Sequence, residues 1–318
     1  MQTRYVDTAS TAGGNGTTPA LTGPNRAFVS GAAFNAACAS SMAEDWTVYC
    51  AASTSVADAK WEISGWTANG FKMYVKGNQD FTTTTKISTA KYRIVGNIGS
   101  TDVLFYVGSN RPATTIDHVG FQATDQNNGG AACRSEGGGA LTVRECVLET
   151  TAGYIHVDSS KGLDQPGGTC KGINCVVRGF GTGVYAGNAY CCDIFSCGRA
   201  TRTLTGTCRD LIFQNNVADN FGGGTIEYSL SDLALAGTGN QGGITLTFTD
   251  KANYNYHLTA GDHAQTSGGI GPGADANCPT VDIDGQTRSG ATTDKGVDLY
   301  GASRVPDLMP FLGRMERD

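Results

Sequence analysis

The run Leu141-Thr-Val-Arg-Glu-Cys-Val-Leu148 decides how this chain is read, because four relatives of it lie between Ile116 and Val217. They are Ile116-Asp-His-Val-Gly-Phe121, Ile173-Asn-Cys-Val-Val177, Asp193-Ile-Phe-Ser-Cys197 and Leu211-Ile-Phe-Gln-Asn-Asn-Val217. Each is short and apolar, and each is bounded by Gly, Asn, Thr and Ser, residues that favour tight turns. Aligned, the runs place Cys146, Cys175, Cys197 and Asn215 in one column, at intervals of 29, 22 and 18 residues. An imperfect repeat of this length with one strand-like core per repeat is the sequence form of a coiled β-solenoid.

Each coil of a solenoid contacts only its neighbours, so 318 residues fit a single elongated domain. Glycine, at 45 residues, is about twice as frequent as usual, and it follows no Gly-X-Y period, which excludes collagen. The apolar share of 39% is too high for a disordered chain. Lys and Arg number 23 against 29 Asp and Glu, and they form no run. A nucleic-acid surface carries a basic stripe, so that class of partner is not expected. No stretch approaches the length of a membrane span, and residues 1–7 lack the apolar core of a secretory signal.

The eleven cysteines include no Cys-x-x-Cys pair, so they are read as no metal site. Cys146, Cys175 and Cys197 are expected to be reduced and to face inward as small hydrophobes. That usage fits folding in a reducing cytoplasm. Cys170 with Cys191 or Cys208 is the disulfide that adjacent turns would favour.

Residues 1–45 form a leading segment and cap. Residues 7–26 read as a Gly/Thr/Pro-rich loop, and residues 30–44 as the one convincing helix, with Ser30 as N-cap. The end of a solenoid needs covering, so this helix is the expected N-terminal plug. Residues 46–300 read as coils. Strands are expected at 46–50, 61–63, 71–75, 92–95 and 103–107, and again at 225–228, 233–235 and 244–248. Residues 301–318 differ in composition. Leu308, Met309, Phe311, Leu312 and Met315 are too apolar for a free end, so they either lie on the solenoid or dock into a second subunit of a homo-oligomer.

The ends of the chain carry a resemblance. Tyr5-Val-Asp7 followed by Gly13-Gly-Asn-Gly-Thr17 resembles the start of many right-handed parallel β-helix proteins, the pectate-lyase-like superfamily. Near the other end, Tyr256-His-Leu-Thr-Ala-Gly-Asp-His-Ala264, Val281-Asp-Ile-Asp-Gly-Gln-Thr-Arg288 and Thr293-Asp-Lys-Gly-Val-Asp298 are similar to that group's closing signature. They depart from it where Asp262-His263 replaces Ser-Pro and Lys295 replaces Ile. The resemblance implies an all-β right-handed parallel β-helix. It implies little about function, because the group spans lyases, hydrolases, adhesins and phage tailspikes, so function has to be argued from a site.

Asp282, Asp284, Asp294 and Asp298 could offer oxygens to Ca²⁺. The alternative is a tight Asp-x-Asp-Gly turn neutralised by Arg288. Glycoside hydrolysis on such a fold needs two clustered carboxyls, one to donate a proton and one to activate water or attack. The carboxylates on the coils are Asp117, Glu145, Asp158, Asp193 and Asp210, with His118, His156, Lys161 and Arg209 as cationic partners. Neighbours within a strand point to opposite faces, so only stacking between coils could build a site. Asp193 and Asp210, one coil apart, are the best such pair. Among the aromatics of the first coils, Trp61, Trp66 and Tyr74 are the residues expected to stack on a glycan.

With no dense carboxylate cluster, the sequence favours a non-catalytic structural or adhesive protein. A solenoid without an export signal, rich in free thiols, fits a bacteriophage virion component such as a head decoration or spike. It would fold in host cytoplasm, leave by lysis, and meet other virion proteins or a surface glycan. The alternative is a polysaccharide lyase or glycoside hydrolase, as in a depolymerising tailspike.

Overall fold

The computed structural model describes residues 1–81, 84–98, 102–125, 129–151, 160–218, 222–253, 255–266, 268–283 and 286–298. Most of its regular structure is parallel β. Nine strands from Gln2–Asp7 to Thr225–Glu227 form a first sheet. Seven from Arg93–Asn97 to Leu230–Ser231 form a second, and six from Trp61–Ile63 to Arg199–Arg202 a third. The chain visits the sheets in rotation. Lys72–Lys76 lies in the first, Arg93–Asn97 in the second and Val103–Val107 in the third. Ala113–Asp117 then returns to the first, paired in parallel with Lys72–Lys76. The result is an all-β stack of three long parallel sheets.

The apolar runs of the repeat hold strands of two sheets, joined at a corner. Ala140–Arg144 belongs to the first sheet and Val147–Thr150 to the second, with Glu145 and Cys146 between them. The first corner residue is left-handed in six circuits: His118 (φ 52°), Glu145 (50°), Asn174 (50°), Cys191 (49°), Asp210 (56°) and Tyr228 (52°). Asn and Asp adopt this region readily, and other L-residues are strained there. Hydrogen bonds between circuits hold them in place. The Glu145 N–H donates to the Ile173 carbonyl at 3.0 Å, and the Cys191 N–H to the Arg209 carbonyl at 3.0 Å.

Strand register corrects the cysteine column. Val147 pairs with Val176, Val176 with Asp193 and Asp193 with Ile212. The residues that follow Cys146 and Cys175 up the stack are therefore Cys192 and Leu211, in place of Cys197 and Asn215. The circuit through Asp193 has a cysteine at each of two corners, Cys192 and Cys197, and the register places the earlier one in the column. All eleven cysteines are free thiols. The expected bridge from Cys170 is absent. Cys170 is registered with Leu141 in the first sheet and buried, whereas the Cys191 sulfur lies against Cys278.

Inside the stack the apolar side chains form columns. Val48, Val75, Ile116 and Val143 line the first sheet, Ile94, Phe121, Leu148, Val177, Ile194 and Phe213 the second, and Trp61, Phe105, Cys133, Leu163 and Val184 the third. All are fully buried. Burying each large aliphatic or aromatic side chain contributes roughly 1.5–3 kcal/mol.

The N-terminal helix spans Gly31–Cys38, shorter than the expected 30–44. Ser30 caps it as anticipated, its Oγ accepting the Ala33 N–H at 3.1 Å. The helix stops because the chain then turns extended: Ser41 bridges Thr67, and the Met42 N–H donates to the Thr67 carbonyl at 2.9 Å. Phe34 packs on Trp46, Trp61 and Trp66 at ring-centroid distances of 6.0, 5.9 and 5.7 Å.

The parallel sheets end at Ser231, and the expected strands at 233–235 and 244–248 do not extend them. Phe248–Asp250 pairs instead with Asn255–Leu258, antiparallel. The described residues between 244 and 298 fold back over the second sheet. There Val147, Val176, Ile212 and Leu230 alternate with the inward column and form a second apolar core with Leu246, Tyr256, Leu258, Ile283 and Val297. Phe195 stacks on Tyr256 at 4.1 Å. The physical cause is plain: a strand apolar on both faces needs cover on both. Leu308, Met309, Phe311, Leu312 and Met315 lie outside the described residues.

Candidate functional site

Strands of the third sheet place Tyr106, Arg134, Asp164, Tyr185 and Arg202 opposite one another in register. Each follows by one residue a side chain that faces the interior, so this row faces outward. A cleft of about 280 Å³ opens along it, lined by Arg134, Glu136, Lys161, Asp164, Tyr185 and Arg202. That volume is at the small end for a small-molecule site.

The charges in the cleft are ordered. Arg134 Nε donates to Asp164 Oδ2 at 2.7 Å, and its Nη1 lies 3.6 Å from Glu136 Oε1. The Tyr106 hydroxyl donates to Glu136 Oε2 at 3.0 Å. Burial pushes the Asp164 carboxyl upward, against the pull of Arg134. Lys161 Nζ and the Arg202 guanidinium lie 5.2 and 5.7 Å from the Tyr185 ring centroid, within cation–π range. Both carboxylates thus accept from neighbours in the protein. What the cleft offers a ligand is an aromatic ring flanked by cations, three cationic side chains in all against two acidic ones. This arrangement suits a sugar ring that carries a negative charge.

The residues singled out from sequence are distributed differently. Asp117, His118 and Glu145 meet at the corner between the first and second sheets. Arg144 grips both Asp117 oxygens at 2.8 Å, and His118 Nε2 lies 3.3 Å from Glu145 Oε2. Burial raises the Glu145 carboxyl. Arg209 occupies the equivalent corner and pairs with Glu227 at 2.8 Å and Asp275 at 2.5 Å. Asp193 and Asp210 are both buried, at 1% exposure, and face the C-terminal segment. Asp193 Oδ1 accepts the Val297 N–H at 3.0 Å, and Asp210 Oδ1 accepts the Ile270 N–H at 2.8 Å. His156 and Asp158 lie outside the described residues.

Trp61 and Trp66 are fully buried around Phe34 and present no face to a glycan, while Tyr74 is half-buried on the first sheet. Of the acidic residues considered for calcium, Asp284 lies outside the described residues. Asp282 Oδ1 accepts the Gln286 N–H at 2.6 Å, and Asp298 Oδ2 the Leu258 N–H at 2.7 Å. Among the described residues, the metal-capable side chains that converge within 4.8 Å are Cys191, Asp210 and Cys278.

Of the cleft residues, only Lys161 is among those singled out from the sequence. The missed signal is a recurring pair, an interior residue followed by a polar or aromatic one: Cys133-Arg134, Leu163-Asp164, Val184-Tyr185 and Thr201-Arg202. It lies in strands of four to six residues, separated from the aligned runs by loops of unequal length. No protein family matches the chain, and no curated protein or solved structure is significantly similar to it. No helix among the described residues is long and apolar enough to cross a membrane.

Proposed function

We propose that the three stacked sheets form a right-handed parallel β-helix, capped at its N-terminal end by the helix Gly31–Cys38, that serves as a non-catalytic structural or adhesive protein. In this reading it is a bacteriophage virion surface component, a head decoration or spike. It folds in reducing cytoplasm, leaves by lysis, and acts as a homo-oligomer beside other virion proteins. Its ligand is an acidic surface glycan held in the cleft of the third sheet.

The observation that carries the reading is the state of the cleft. Tyr185 stands between Lys161 and Arg202, which suits a charged sugar, while Asp164 and Glu136 are held by Arg134 and Tyr106. Acid–base cleavage needs one carboxyl able to donate and another able to activate water, and here Asp164 Oδ2 is held by Arg134 and Glu136 by Tyr106 and Arg134. Titration calorimetry with uronate-containing and sulfated oligosaccharides tests the proposal. Binding that weakens at least about tenfold in Arg202→Ala and in Tyr185→Ala, about 1.4 kcal/mol, is the expected result. Equal binding by both variants, or no binding by the wild type, overturns it.

A second reading, a polysaccharide lyase or hydrolase, draws on the presence of Glu136 and Asp164 in one cleft with Lys161. Shortening of an acidic polysaccharide by the wild type and not by Glu136→Gln would favour it over adhesion.

A further inference from the structure

Cys191 and Cys278 are 87 residues apart in sequence, yet their sulfurs lie 3.6 Å from each other. Cys191 is the left-handed corner residue of its circuit, and Cys278 sits on the segment folded back over the second sheet. We propose that this pair is a modification site: a dithiol that a low-molecular-weight disulfide oxidises to a bridge, tying the C-terminal segment to the stacked sheets.

The surroundings assign the roles. The two thiols share a hydrogen bond that either sulfur can donate, and this contact, with the buried Arg288 cation beside it, holds the Cys278 thiol below its ordinary range. The same bond and burial push the Cys191 thiol up. Cys278 is buried at 5% exposure and Cys191 completely, so Cys278 is the sulfur a small disulfide reaches and the attacking thiolate. It lies among exposed residues, Gly273, Ala274, Ala276 and Thr280, whereas Cys191 is fully buried. Cys278 attacks one sulfur of the small disulfide and expels the other half as a thiolate, giving a mixed disulfide. Cys191 then loses its proton to that thiolate and attacks the Cys278 sulfur, releasing the second half. Two protein thiols are oxidised to one disulfide, and one small disulfide is reduced to two thiols.

A metal ion is the competing use of these sulfurs, since Asp210 completes a three-ligand group with them. Arg288 opposes it. Its cation acts on Cys191, Cys278 and Asp210 together, and its Nη2 donates to the Gly296 carbonyl at 2.7 Å. A divalent ion would share the pocket with a fixed positive charge. Cys192 also has a thiol neighbour, Cys175, but both are fully buried in the core, beyond the reach of a disulfide in solution. Cys146, Cys175, Cys192 and Cys197 each donate to the carbonyl two residues back, at 3.0–3.3 Å.

The test treats the native full chain with oxidised glutathione and maps its cysteines by non-reducing peptide mass spectrometry. The expected product is one intramolecular Cys191–Cys278 linkage, with an unfolding temperature higher by about 5 °C or more that dithiothreitol reverses. Cys278→Ser and Cys278→Ala should lose both the linkage and the shift. Because the peptide map is made on the wild type, a variant that fails to fold leaves the test intact. Three results overturn the proposal: both cysteines remain open to alkylation after treatment, Cys278 stops at the glutathione adduct, or stoichiometric zinc added to the reduced protein protects both thiols.

Discussion

The Asp193 carboxylate accepts the backbone N–H of Val297 across 104 residues of chain. One circuit further on, Asp210 does the same for Ile270 at 2.8 Å. Two carboxylates on the stacked sheets thus serve as acceptors for a segment that has left the sheets. Replacing Asp193 by Ala removes the acceptor and leaves a buried N–H unpaired, which costs roughly 1–3 kcal/mol. Asp193→Asn keeps a carbonyl oxygen in place and should lose less. Urea unfolding measures both. Limited proteolysis should cut the Ala variant within residues 244–298 before it cuts the sheets.

Asp210 gives the same contact a pH dependence. Burial pushes its carboxyl up to about 7, opposed by the Ile270 N–H and by the cations Arg288 and Lys295, with Asp275 adding to the rise. A group raised in the folded state contributes stability that is fully present below its unfolded value near 4 and is lost as pH rises through about 7. Lys295, depressed to about 8 by burial, acts above that window. Thermal unfolding should therefore show stability falling between about pH 4 and pH 7 by a few kcal/mol. Asp210→Asn should flatten part of that slope. Asp193, which burial raises well above the ordinary carboxyl range, shares the remainder with the raised carboxyls of Asp58, Glu145 and Asp164, so the double Asn variant should be flatter still.

These contacts show how much the sequence could convey. Turn residues between apolar runs revealed the stack, because every circuit must change direction and each change leaves Gly, Asn or Ser behind. The fold-back was hidden for the opposite reason. Val147 and Leu148 face different cores, and a strand buried on both faces reads as a continuous apolar run with no alternation to mark its second partner. Asp193 therefore reads from sequence as half of a candidate catalytic pair, since nothing local announces a hydrogen-bond partner at Val297. The cleft was hidden by length: in the strand Thr182–Tyr185 only Tyr185 marks the outward side, too little for a period to register.

Thr203 offers a test of corner strain. It is exposed, yet its φ is 52°, a region where β-branched residues are outliers. Gly meets no Cβ penalty there, and Asn adopts it more readily. Thr203→Gly and Thr203→Asn should each stabilise the protein by about 1 kcal/mol. Unfolding midpoints unchanged or lowered in both variants would show that the left-handed corner is not strained.

The pair Arg134–Asp164 separates structure from ligand binding in the cleft. Asp164 is buried and Arg134 nearly so, with side-chain exposures of 3% and 11%. Removing one partner leaves a buried charge uncompensated, which costs about 3–5 kcal/mol, whereas replacing both with apolar side chains of similar size is often close to neutral. Arg134→Ala should therefore destabilise strongly, and Arg134→Met with Asp164→Leu should recover most of the loss. A double variant as unstable as Arg134→Ala would mean that the neighbouring contacts to Glu136 and Gly129 matter more than the pair itself.

The free thiols make the packing of the stack measurable. Cys38, at the end of the helix, is half-buried, and ten other cysteines are buried. Burial pushes the thiols of Cys133, Cys146, Cys192 and Cys197 up, so little thiolate is present near neutral pH. A short pulse of iodoacetamide on the reduced native protein, followed by peptide mapping, should label Cys38, the more exposed, and Cys278, whose thiol is held below its ordinary range, before the others. Cys146, Cys175, Cys192 and Cys197 should stay unmodified until denaturant exposes them. Their labelling should then rise together across the unfolding transition, because all four pack in one column-built core. If Cys197 became reactive well before Cys146, the circuits near the C-terminal end would be opening independently. The stack would then unfold as a series of units, as quasi-one-dimensional arrays do when coupling between neighbours is weak.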